Sequence, residues 1–160
     1  MMTDRDASLL RRAFAVARAA RDQGEHPFGA LLAGPDGAVL LEQGNAYHAE
    51  GRDPTAHAER LVATRAAKAF PPALLAACTL YTSAEPCAMC AGAIYWVGIG
   101  RVVYGQSESA LKHATGAHPE NPTLSLPCRT VFAAGQRQVE VVGPLLEEEA
   151  AALQAGFWQP

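Results

Sequence analysis

The chain has 160 residues, with 13 lysines and arginines against 16 aspartates and glutamates, for a formal net charge of −3. That length suits one domain, residues 1–160, able to bury about two-thirds of the surface its unfolded form exposes. Its lysines are Lys68 and Lys112, the arginines are scattered, and no basic block offers itself to phosphates, so a nucleic-acid partner is not expected. No stretch approaches the roughly 18 apolar residues of a membrane span, and the N-terminus carries acids where a leader needs an apolar core. Cys78, Cys87, Cys90 and Cys128 include one C-x-x-C pair, which in such a chain points to metal binding in a reducing, cytoplasmic setting and not to disulfides.

From Leu9, apolar residues at Leu10, Ala13, Phe14, Ala17 and Ala20 predict an amphipathic helix that stops at Gly24. Phe28–Ala33, the turn Gly34-Pro35-Asp36-Gly37 and a second run from Val39 to Leu41 predict a β-hairpin, with Asn45 just past it. Asp53-Pro54 reads as a helix start, with Asp53 as cap and apolar positions at Ala58, Leu61, Val62, Ala66 and Ala69. Cys78–Ser83 predicts a strand, Pro86 opens a helix that ends at Gly98, and Arg101–Tyr104 predicts a fourth strand. Residues 106–129 read as one long loop, of the kind that is usually functional. Val139–Val142 predicts a fifth strand and Leu145–Phe157 a closing helix. Strands alternating with helices after a hairpin imply a mixed sheet with helices on both faces.

Two separated motifs carry the chemistry. In DPTAHAE, His57 stands two residues before Glu59; in AEPCAMC, Cys87 and Cys90 follow Pro86. One imidazole and two thiols suit Zn²⁺, and three protein ligands leave a coordination position open. Cys87 and Cys90 are three apart at a helix start, where both can reach one ion and the positive end of the helix dipole favours thiolate. His57 and Glu59, two apart, would point to opposite sides of a regular helix, so the metal must lie off its N-terminal end, with Glu59 beside it and not ligating. There zinc makes a water acidic, Glu59 takes the proton, and the oxygen attacks a ring carbon bearing an amino group. The competing possibility is a closed structural site completed by Cys78 or Cys128.

DPTAHAE, LYTSAEPCAMCAGAIYW, Pro27–Ala30 and Arg101–Gly105 together resemble the cytidine-deaminase-like superfamily, in which H-x-E followed by P-C-x-x-C is the signature, and within it the bacterial guanine deaminases. The resemblance implies a three-layer α/β/α sandwich on a five-stranded mixed sheet. It also implies zinc on His57, Cys87 and Cys90, a proton shuttle at Glu59, and hydrolysis of a free base such as guanine, another amino-azine or a nucleoside, with an adenosine in tRNA as the lesser alternative, since the tRNA deaminases share the metal motifs but tend to be basic. Asn45 matches a substrate-binding asparagine, and Phe28 and Trp96 match pocket-wall positions. A second acid of the guanine deaminases falls, without gaps, on His118. Glu108, His113, His118 and Glu120 are the residues nearby that can stand in for it. A homodimer is implied, with C-terminal segments that some relatives exchange between subunits.

Overall fold

The computed structural model describes residues 2–159; Met1 and Pro160, the ends of the expected domain, lie outside the described residues. Strands β1 (Gly29–Ala33), β2 (Val39–Gly44), β3 (Thr79–Ala84), β4 (Arg101–Gln106) and β5 (Glu140–Val142) form one sheet in the order β2-β1-β3-β4-β5. β1 runs antiparallel to both β2 and β3, whereas β3, β4 and β5 are parallel. The helices are α1 (Asp4–Asp22), α2 (Ala58–Ala69), α3 (Pro72–Ala76), α4 (Ala88–Val97), α5 (Glu108–Thr115), α6 (Cys128–Ala133) and α7 (Glu147–Ala152).

Because side chains alternate along a strand, each central strand feeds both layers. Ala30, Leu32, Leu80 and Val102 pack with Ala58, Val62 and Ala66 of α2 and Ala91 and Ile94 of α4. Their chain neighbours Leu31, Tyr81 and Val103 pack on the other face with Leu10, Ala13, Phe14 and Ala17 of α1 and with Leu153 after α7. The three-layer α/β/α sandwich therefore follows from runs that are apolar at every position, each buried leucine contributing about 1.5–3 kcal/mol. α1 lies close on β1, where a Cβ at Gly29 would collide with the backbone nitrogen of Ala17. Gly98 ends α4 in the left-handed conformation, at φ 88°, its N–H bonded to the carbonyl of Ile94.

Three sequence expectations are corrected. Asp53 does not cap α2: its carboxylate accepts from the N–H and hydroxyl of Thr55 in a separate turn, and His57 holds the cap position. Residues 106–129 are not one loop but contain α5, capped by Ser107, and the start of α6. The closing helix is only Glu147–Ala152, after which the chain turns back on itself. There Gln154 Nε2 donates to the carbonyl of Pro27 at 2.8 Å, and the indole of Trp158, 4% exposed, lies 6.1 Å from the Phe28 ring. No helix among the described residues is long and apolar enough to cross a membrane.

Away from these elements, α1 is pinned to the sheet by a buried acid. Thr3 and Asp6 cap each other reciprocally, Arg101 grips the Asp6 carboxylate with two nitrogens at 2.8 and 2.9 Å, and the Tyr81 hydroxyl donates to it at 2.7 Å. The Arg101 guanidinium, helped by Tyr81 and the Thr3 N–H, holds this carboxyl well below the usual range despite its burial. A depressed folded-state pKa stabilises above the unfolded value of about 3.9 and loses that contribution as pH falls below it. Asp6→Asn is expected to cost about 3 kcal/mol in urea unfolding at pH 7, with the gap to wild type narrowing below about pH 4.

Candidate active site

The site is built on the starts of two neighbouring helices. His57 precedes α2 with an extended backbone, φ −74° and ψ 146°, and Cys87 precedes α4 in the same way, φ −64° and ψ 171°. A cap residue is not yet on the helical spiral, so its side chain can reach across the helix end, which removes the conflict between His57 and Glu59. Cys90 stands one turn further on and is fully buried. The Sγ atoms of Cys87 and Cys90 lie 3.6 and 3.5 Å from His57 Nδ1.

Those separations are what zinc needs: Zn–N near 2.0–2.1 Å and Zn–S near 2.3 Å put tetrahedral neighbours about 3.6 Å apart. The donor set fits as well. The Cys87 thiol is drawn down to about 4 by its hydrogen bond with Cys90 and by His57, while Cys90 is pushed well up by Cys87 and by burial, so the pair holds one proton between its sulfurs that a bound metal ion would displace. Burial alone would lower His57, but Cys87 and Glu59 outweigh it and raise it. Cys78 and Cys128 are buried elsewhere and do not join the His57–Cys87–Cys90 group. Three ligands with no fourth from cysteine match an open site, not a closed structural one.

Glu59, 5% exposed, lines the same cleft, and the Thr82 hydroxyl donates to its Oε1 at 3.0 Å. Burial raises its pKa, which makes it a better proton acceptor than a surface carboxylate. Thr82 is on the α2 side of β3 by strand alternation, two residues along from Leu80.

Phe28, Pro54 and Leu111 give the cleft apolar walls, and Asn45, Glu108 and Asn121 give it polar ones. Asn45 is buried, and its Oδ1 accepts from the Tyr47 N–H at 2.9 Å. Glu108, the first residue of α5, is 8% exposed; burial, then the charges of Cys87, Glu85 and Glu59, push it up to about 8. Asn121 Nδ2 is buried without a hydrogen-bond partner. Behind this wall the Glu85 carboxylate accepts from the N–H of Glu108 at 3.0 Å and of Cys128 at 2.9 Å, holding the starts of α5 and α6 together.

Two residues expected at the cleft stand elsewhere. Trp96 is 79% exposed and lines a separate surface groove beside Tyr95, because Cys90 and Ile94 take the inner side of α4. His118 packs edge-on against Trp158 at 5.1 Å and accepts from the Glu120 N–H, outside the cleft wall. His113 turns to the carbonyl of Ser109. Of the four residues able to replace the second acid, only Glu108 and Glu120 line the cleft. Sequence reading did not place Asn121, Glu85 or His26 there; Ser107 followed by Glu108, a helix-start pattern, was the available signal for α5.

A three-ligand soft metal site with a buried carboxylate at its side defines a metal-dependent hydrolase. Residues 3–106 match the cytidine and deoxycytidylate deaminase zinc-binding region, and the chain belongs to this family of zinc-binding deaminases. It is 40% identical over 159 residues to a probable cytosine deaminase of Schizosaccharomyces pombe, a match that spans 98% of this chain and 94% of that one. A tRNA-specific adenosine deaminase of Bacillus subtilis is 33% identical, over 96% of this chain and 89% of its own. Among solved structures, a guanine deaminase from Nitrosomonas europaea superposes with a TM-score of 0.74 at 25% identity, covering 96% of this chain and 84% of the other.

The purified protein is expected to carry one tightly held zinc per chain by elemental analysis. Cys90→Ala is expected to lose it and to unfold at a lower temperature, since metal binding that favours the folded state adds to stability.

Proposed function

We propose that this protein deaminates a free nucleobase by hydrolysis, with guanine, converted to xanthine and ammonia, as its first substrate. The observation that carries the proposal is the buried carboxylate of Glu59 in the cleft lined by His57 and Cys87, with Cys90 buried beside them at 3.5 Å from His57 Nδ1. Zinc on those three residues supplies, when bound, a Lewis acid that makes water nucleophilic near neutral pH. Glu59 takes a proton from the attacking water as its oxygen bonds to the ring carbon bearing the amino group. It returns that proton to the adjacent ring nitrogen, then carries the proton of the new hydroxyl to the amino nitrogen, so that the C–N bond breaks with ammonia leaving and a carbonyl remaining. Thr82 holds Glu59 in place for both transfers.

Phe28 offers a flat base an apolar face, Asn45 an amide for its polar edge, and Glu108 an acceptor for its N–H groups, in the role that His118 was expected to mark. Glu120 is less suited to it, being tied to His26 at 2.7 Å. Guanine is favoured by the likeness to the Nitrosomonas guanine deaminase across 96% of the chain. Cytosine is the second reading, favoured by 40% identity to the fission-yeast relative along nearly the whole chain. A tRNA substrate is disfavoured by the net charge of −3, since polynucleotide binding draws on phosphate neutralisation. We further propose that the chain acts as a single domain, in the cytoplasm, as a homodimer.

Ammonia release across guanine, cytosine, isocytosine, adenine, aminotriazines and their nucleosides tests the assignment, and silence on the whole panel would overturn it. Glu59→Gln is expected to lower kcat by about a thousandfold with zinc retained. Glu108→Gln is expected to lower kcat/KM by up to about 10-fold, the worth of one hydrogen bond to a neutral carboxyl.

A further inference from the structure

We propose that His26, His48 and Glu120 form a second zinc site between the cleft and solvent, filled only after the His57–Cys87–Cys90 site and obstructing the cleft when filled. One ligand atom from each of the three residues lies within 4.8 Å of the other two. Two imidazoles and a carboxylate are a known zinc-binding set, harder than the cysteine-bearing site and therefore the weaker of the two.

Three separate loops bring these groups together, and each is braced by contacts of its own. His26, 5% exposed, stacks on Tyr47 with ring centroids 4.7 Å apart and also meets Trp158, which fixes the direction of its Nε2. Glu120 Oε1 sits 2.7 Å from that nitrogen, and its backbone N–H is anchored on His118. The loop carrying His48 is held by Glu25, whose carboxylate accepts from the N–H groups of His48 and Ala49 at 2.7 and 3.0 Å. The backbone of the three loops is thus set in advance, and the exposed His48 side chain is what a cation would still have to order.

Protonation also suits ligation. Burial is the largest influence on His26 and lowers its pKa in spite of Glu120, so the ring is neutral near pH 7. Glu120 is lowered by its hydrogen bond to His26 and stays ionised. Imidazole must be neutral and carboxylate charged to bind a metal, and zinc on His26 Nε2 takes the place of the proton that the contact with Glu120 holds there, which moves to Nδ1 or to solvent. The 2.7 Å contact is shorter than a tetrahedral N–O edge of about 3.4 Å, so the carboxylate must back away by well under 1 Å. Arg52 also attracts Glu120, but it is exposed to solvent and its main partner is Tyr47.

His26 and Glu120 both line the cleft, so an ion bridging them to His48 narrows the way in. Obstruction of catalysis rests on the deaminase reading, whereas zinc binding here does not. The test is calorimetric titration of zinc into protein already holding one equivalent, for wild type, His48→Ala and Glu120→Gln. A single further, weaker equivalent is expected in wild type, weakened at least about tenfold in each variant, with the first equivalent retained in all three. No second equivalent in wild type, or one unchanged in both variants, would overturn the site. In the deaminase assay, excess zinc is expected to suppress wild type while His48→Ala, normal without added zinc, resists. Equal suppression of the two would overturn the obstruction while leaving the titration result to stand or fall separately.

Discussion

Two helices must begin at the same point in space, and the remaining structure is arranged to let them. His57 opens α2 and Cys87 opens α4, and the cluster forms only if these helices lie side by side with their N-termini level. Small residues permit that approach: Ala58, Ala66 and Ala91 are all buried in the layer the two helices share. The level is set by the sheet, since α4 follows β3 directly and α2 packs across β1 and β2. A one-residue slip of β3 against β1 would exchange its inward and outward side chains and carry Thr82 away from Glu59.

The cleft lies where parallel strands end. β3 and β4 run together, and each gives way at its carboxyl end to a helix whose first turn faces the cleft, α4 with Cys87 before it and α5 with Glu108 at its start. Backbone N–H groups at such ends favour anionic partners: the thiolate of Cys87 in one case and, in the other, the Glu85 carboxylate that accepts from the Glu108 N–H. The opposite end of the sheet carries the Asp6–Arg101–Tyr81 cluster, where polar burial serves adhesion between layers.

Much of this was legible from residue type and spacing. Runs such as Leu80–Ser83 and Val102–Tyr104 read as strands because both faces of the sheet are covered, and C-x-x-C after proline read as a helix start. Helix boundaries were less legible: Asp53 satisfies every local criterion for a cap, yet Thr55 uses its carboxylate first and the helix waits for His57. α5 was hidden because Leu111 is its one large buried apolar residue, too little for a periodic signal. The position of Trp96 depends on which side of α4 faces the sheet, and an almost uniformly apolar helix does not announce that. Nor does local sequence foretell that Asn121, from a segment without regular structure, comes back to the cleft.

Glu85 sits at the seam between these two kinds of information. Its neighbours Cys87 and Cys90 belong to the metal motif, while its carboxylate reaches forward to the N–H groups of Glu108 and Cys128. The half of the cleft that carries the metal motif and the half built by α5 and the segment beyond it are thus joined through backbone amides, which every residue except proline provides. Side chains on α5 and the segment beyond it can change identity without disturbing that fastening. A chain built this way can vary the side chains along one wall of its cleft while the metal motif and its supports stay in place.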